Sequence, residues 1–196
     1  SDLAMELRRR AAEQLLHSGH LSEGLEVLGA LLREVGLRLP QRHLSALLRL
    51  LLLRAYLWVR GLGARERPAA EVPPQELLRV DTCWAVASGL ANKDTMRGAY
   101  FGTLHLLYAL RAGEPGRLLR ALALEVSYAA LAGGQKPGRL ERLAQAAMLE
   151  LAGRTTDPYA QGVVPLYSGV AALITPLSTS GSATPRRSQI SSGRLA

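Results

Sequence analysis

The chain has a single cysteine, two lysines, few aromatics and few β-branched residues, and each scarcity removes a class of protein. The lone Cys83 cannot form an internal disulfide or a cysteine-rich zinc site, and it suits a reducing, cytoplasmic setting. No stretch combines a charged start, an apolar run and a cleavage site, so no secretory leader is expected. The most apolar run, 44–59, is interrupted by Arg49 and Arg54 and is too short to span a bilayer. It reads as a buried helix rather than a membrane anchor, and no membrane partner is expected. Aromatics make up only 5% of the chain, and no segment keeps a two-residue alternation long enough for a strand, which argues against a sheet.

What is present points to helices. Hydrophobic residues are 48% of 196, enough for one substantial core or several short repeats. Leu, Ala, Arg and Glu dominate, and these lose little side-chain freedom in a helix. The net charge is +8, and all but Lys93 and Lys136 of the 24 basic residues are arginine. Through most of the chain Arg alternates with Glu, and no aromatic-plus-basic cluster or reading motif accompanies the charge. Nucleic acid is therefore a disfavoured partner.

Apolar spacing places helices at 3–17, from about residue 21 to Val35, and at 41–61, 74–91, 94–112, 115–132, 138–152 and 157–173. Ser18-Gly19-His20 separates the first two, and Gly36 and Pro40 end the second. Asp2 and Asp94 are candidate N-caps, Pro73-Pro74 restarts the chain after a polar loop, and Ala112-Gly113-Glu114-Pro115 ends one helix and opens the next. Helix pairs recur every 35 to 45 residues or so, which reads as stacked antiparallel hairpins. The expected fold is all-α, an α-solenoid or compact helical array over 1–173. The segment 174–196 differs sharply: from Thr175 onward it holds six Ser, three Thr, two Pro, three Arg and no acid. Such a composition cannot offset its ordering entropy, and a disordered tail is expected, either native or a departure of the reading frame near residue 174.

Candidate chemistry thins out on inspection. His17, His20, His43 and His105 are scattered, with no paired Cys or HExxH spacing to make a metal site. In Asp81-Thr82-Cys83-Trp84, nothing local supplies a base for the thiol; Cys83 and Trp84 ahead of Val86 and Leu90 read as core, and Asp81 or Thr82 as a cap. Gly61-Leu62-Gly63 and Gly133-Gly134-Gln135-Lys136 lack the remaining residues of a dinucleotide or phosphate loop. Arg8-Arg9-Arg10 spreads around a helix, and Arg186-Arg187-Ser188 is a short basic-serine run of low specificity. No catalytic, cofactor-binding or metal-ligating residue is assigned.

Two resemblances add to this reading. Ala12, Leu15, Gly19, Leu21, Gly24, Leu28 and Leu31 resemble the spacing of a tetratricopeptide repeat, with Gly24 where Ala is usual and Gly36 where Pro is usual. Ala11-Ala12-Glu13-Gln14-Leu15-Leu16, Leu37-Arg38-Leu39-Pro40, Glu71-Val72-Pro73-Pro74, Asp81-Thr82-Cys83-Trp84, Asp94-Thr95-Met96-Arg97-Gly98-Ala99, Leu110-Arg111-Ala112-Gly113-Glu114-Pro115 and Ala121-Leu122-Ala123-Leu124-Glu125 resemble, in the same order and spacing, the C-terminal helical region of large bacterial serine/threonine protein kinases. That resemblance covers about residues 2–173 and includes none of the kinase's Gly-rich, lysine, His-Arg-Asp or Asp-Phe-Gly motifs. It implies a fragment of a larger bacterial signalling polypeptide: a non-catalytic interaction or regulatory module whose groove of small and polar residues holds a protein segment or a linked kinase domain. A free-standing helical adaptor is the alternative, followed by a basic nucleic-acid binder.

Overall fold

The computed structural model describes residues 21–91, 93–131 and 138–154, with the isolated positions 7, 10, 11, 14, 162, 165 and 169. Apart from those isolated positions, which are helical, the expected helices 3–17 and 157–173 lie outside these residues, as do the cap at Asp2, the tail 174–196, the turn at 18–20 and the glycines at 133–134. Among the described residues the fold is all-helical and contains no strand. The six helices are α1 (Leu21–Glu34), α2 (His43–Arg60), α3 (Pro74–Leu90), α4 (Thr95–Ala112), α5 (Pro115–Leu131) and α6 (Arg139–Arg154), with a short 3-10 turn at Ala69–Glu71 before α3.

The boundaries follow from capping chemistry. Asp94 accepts the backbone N–H of Arg97 at 3.0 Å and so satisfies one of the orphan donors at the start of α4. Glu114 does the same for α5, accepting from the N–H groups of Gly116 and Arg117 at 2.9 Å. Between them Gly113 ends α4 in the left-handed conformation, with φ of 71°. The position has a second constraint: a Cβ there would lie 1.9 Å from the carbonyl oxygen of Arg65.

That contact shows where the long 61–73 connection goes. Its Arg67 donates from Nε to Ala112 O at 3.0 Å and from Nη2 to Arg111 O at 3.2 Å, while its N–H bonds Gly113 O at 2.9 Å. One arginine thus satisfies carbonyls that α4 leaves open at its end. Glu66 in the same connection pairs with Arg154 at the end of α6, 2.7 Å away.

α4 is the centre of the array. α3 packs on it most extensively and antiparallel; α2 and α5 flank it, and α6 packs on α5. α2 starts where α4 starts, because Arg97 reaches back to Pro40 O and Gln41 O, each at 2.8 Å. Both helices also end in one apolar cluster, which joins Leu57 to Leu106, Leu110, Leu119, Leu122 and Met148. A second cluster at the closed end of the α3–α4 pair gathers Leu31, Leu32, Cys83, Val86, Leu90 and Phe101. α1 joins this cluster by packing on α3, and Arg79 of α3 donates to Val35 O at 3.1 Å.

Candidate interaction surface

α2 departs from the sequence expectation. The run 44–59 reads as a buried helix, yet only Ala46 and Leu57 of α2 are buried. Leu44, Leu48, Leu51, Leu52, Tyr56, Trp58 and Val59 are all exposed, from 56% for Leu48 and Leu51 to 79% for Val59. The reason is position. α4 covers the side of α2 that carries Ala46, Leu50, Leu53 and Leu57, while on the opposite side Arg139 of α6 lies over the Trp58 ring at 5.9 Å and the row stays exposed. At 100° per residue the exposed apolar positions fill an arc of about 160°. A contiguous exposed apolar surface of this kind makes this face the candidate interaction surface.

One edge of the arc is cationic. Arg42, just before the helix, and Arg49 and Arg60 within it lie close to one line down the helix, spaced by seven and eleven residues. All three are exposed, and Arg42 and Arg49 form no ion pair among the described residues. From Val35 to Arg65 the chain carries six arginines and no acidic residue.

The other edge borders a slot of about 300 Å³ between α2 and α5, floored by α4. The floor is built from the small residues Thr95, Ala99, Gly102 and Thr103; Leu50 and Leu51 form one wall and Tyr128 and Ala129 the other. Small residues are required here. A Cβ on Gly98 would lie 2.7 Å from the Tyr128 hydroxyl, and one on Gly102 would lie 3.1 Å from its ring. Tyr128 is held in turn by its hydroxyl, which donates to Ala87 O at 3.3 Å. One end of the slot is closed by an ion pair. Nη1 of Arg54 lies 2.6 and 2.7 Å from the two carboxylate oxygens of Glu125, and Glu125 is almost fully buried. A buried carboxylate requires such a partner, so the pair fixes α2 against α5 at this width.

The residues singled out from the sequence behave as structure. Cys83 is fully buried, and burial pushes its thiol far above the usual range, which makes it a poor nucleophile. Asp81 lies mid-helix and caps nothing: it receives Nη2 of Arg117 at 2.6 Å and Nη2 of Arg120 at 2.7 Å, tying α3 to α5. Burial works against the charge on Arg117, but the hydrogen bonds it donates to Asp81 and Glu114, with their negative charge, outweigh it and hold the guanidinium above its ordinary value. Thr82 turns its hydroxyl back to Leu78 O at 2.8 Å. His43 is exposed at the start of α2. His105 is buried, with Nδ1–H donating to Val80 O at 3.0 Å and Nε2 without a hydrogen-bond partner among the described residues. Burial, with Arg120 nearby, pushes its pKa down to about 4, so the ring is neutral at pH 7. Trp84 stands 5.5 Å from this ring, and Arg120 lies over its indole.

Among the described residues, no three His, Cys, Asp or Glu side chains are grouped to hold a metal, and no helix is long and apolar enough to cross a membrane. The runs at 8–10 and 186–188 and the two histidines at 17 and 20 fall outside the described side chains, Arg10 excepted. The surface on α2 had one sequence signal: a helix whose apolar residues occupy two opposite sides, with arginine as its only charged residue. Set against known protein families, curated proteins and solved structures, the chain matches none.

Proposed function

We propose that this chain is a non-catalytic interaction module that holds a protein segment along α2 and in the slot beside it. The observation that carries this reading is the exposed row Leu44, Leu48, Leu51, Leu52, Tyr56 and Val59, continuous with the slot through Leu51. A helix exposing that much apolar surface gains by burying it, at roughly 25 cal/mol per Å² before the costs of association. The slot adds a recess into which one large side chain of a partner can anchor.

Within this reading the helices form a tetratricopeptide-like stack, and the module serves a serine/threonine kinase of the large bacterial kind. Its support is the ordered likeness of segments such as Glu71-Val72-Pro73-Pro74 and Asp94-Thr95-Met96-Arg97. From α3 to α6 each helix packs on the next, and α1 on α3, α2 on α4 and α3 on α5 add next-neighbour packing, which favours a repeat-like stack. A cytoplasmic signalling role belongs to the same proposal.

The test uses the full chain and a synthetic, uncharged amphipathic peptide with leucines at helical spacing. Binding moves the emission of Trp58 to shorter wavelength, and Leu48→Gln with Leu52→Gln abolishes the shift while the circular dichroism stays unchanged. No binding by the unmodified chain refutes the surface reading. In parallel the chain transfers no phosphate from ATP, and a phosphotransfer rate that follows the purified chain refutes the non-catalytic reading.

A further inference from the structure

The α2 surface is asymmetric, and the asymmetry specifies a partner. On one flank a helix laid along α2 meets the slot; on the other it meets Arg42, Arg49 and Arg60. We infer that the occupant is an amphipathic helix of another protein, with a large apolar residue on the slot flank and carboxylates on the opposite flank. This rests on the surface reading above and adds the chemistry of the partner.

The charge argument has three parts. Between Val35 and Arg65 there is no acidic residue to neutralise the row, so its complement has to come from outside this stretch. Arg54 is already engaged by Glu125, so within α2 the excess positive charge lies on the far flank; on the slot flank Arg139 of α6 stands over the Trp58 ring. The spacing of the row, about 10 Å from Arg42 to Arg49 and about 16 Å from Arg49 to Arg60, is the spacing of residues seven and eleven apart on a facing helix. Glu or Asp at those intervals meets each arginine in turn.

A second copy of this chain is a poorer fit. Antiparallel pairing through α2 sets the arginine row against itself, and parallel pairing sets it against the Arg54–Glu125 flank, which has no net charge to offer. A flat anionic lipid surface is also poorer, because it has no side chain to enter the slot.

The experiment titrates the full chain with three peptides that share one leucine stripe and one large apolar flank residue. They differ in the opposite flank, which carries Glu, Gln or Lys at seven- and eleven-residue spacing. Trp58 fluorescence reads the binding. The Glu peptide binds about tenfold or more tighter than the Gln peptide at low salt, the Lys peptide binds weakest, and the difference shrinks as salt rises. Arg49→Glu with Arg60→Glu reverses the order of the Glu and Lys peptides. Equal affinities for all three overturn the inference while leaving the surface reading intact; failure of all three to bind removes both. Acidic vesicles that shift Trp58 when no peptide does overturn it in favour of a lipid surface. A chain that sediments as a dimer with Trp58 already shielded overturns it in favour of self-association.

Discussion

α2 and α4 are both eighteen residues long and comparably apolar, yet eleven residues of α4 are buried and only two of α2. The difference is one of neighbours. α4 is enclosed by α3, α2 and α5, and it suits that place because Gly98, Ala99, Gly102, Thr103, Ala109 and Ala112 let other helices approach closely. α2 is packed along one side only; on the other side its large side chains stay exposed, with the Arg139 guanidinium of α6 over the Trp58 ring at 5.9 Å. Hydrophobicity of a helix therefore tells how much surface it can bury, and the size pattern of its residues tells from how many directions.

The contrast is sharpest at the level of single side chains. Phe101 in α4 is fully buried, and truncation to Ala should cost about 3–5 kcal/mol in denaturant unfolding. Leu52→Ala in α2 should change stability by no more than about 0.5 kcal/mol. Comparable losses from the two would remove the distinction between the helices.

His105, also in α4, supplies a pH-dependent form of the same test. Its pKa falls from the ordinary 6.5 to about 4 in the fold, so the unfolded chain takes up the proton first as the pH drops. Its share of the stability is complete above about pH 6.5 and is lost as the pH falls toward 4, by about 1.4 kcal/mol per unit at most. His105→Leu should flatten the stability profile in that window, and an unchanged slope would refute the buried neutral ring.

At the border between the helices, Arg54→Met leaves Glu125 buried without its cation. The cost should be about 2 kcal/mol, below that of a fully buried pair because Arg54 is about one third exposed. The slot should also lose its closed end, which the uncharged peptide reports as weaker binding. The smallest effect belongs to Leu48→Gln with Leu52→Gln: stability within about 0.5 kcal/mol of the parent, with peptide binding gone.

Much of this helical framework could be read from the residues. The six described helices lie within about two residues of the positions set by apolar spacing and punctuation, and Asp94 and Gly113 act as the caps their types suggest. Cys83, Val86 and Leu90 lie in the core as expected from their spacing. Local chemistry determines all of these. The exposed face of α2 is different, because it depends on which side of the helix is left unpacked. The pairs that build its surroundings are also remote in the chain, 71 positions for Arg54 with Glu125 and 36 for Asp81 with Arg117. The expected groove of small and polar residues is found only as the floor of the slot; the surface beside it is leucine and aromatic, because α2 contributes its apolar crest instead of a polar one.

The exposed face of α2 is the premise of the whole account, and the chain's two tryptophans allow it to be measured directly. Trp58 is 61% exposed, while Trp84 is half-buried beside His105. Acrylamide quenching of the full-length Trp84→Phe and Trp58→Phe variants isolates each indole. The account predicts fast quenching and long-wavelength emission for Trp58, with slow quenching and shorter-wavelength emission for Trp84. Equal shielding of both indoles in the full chain would contradict it.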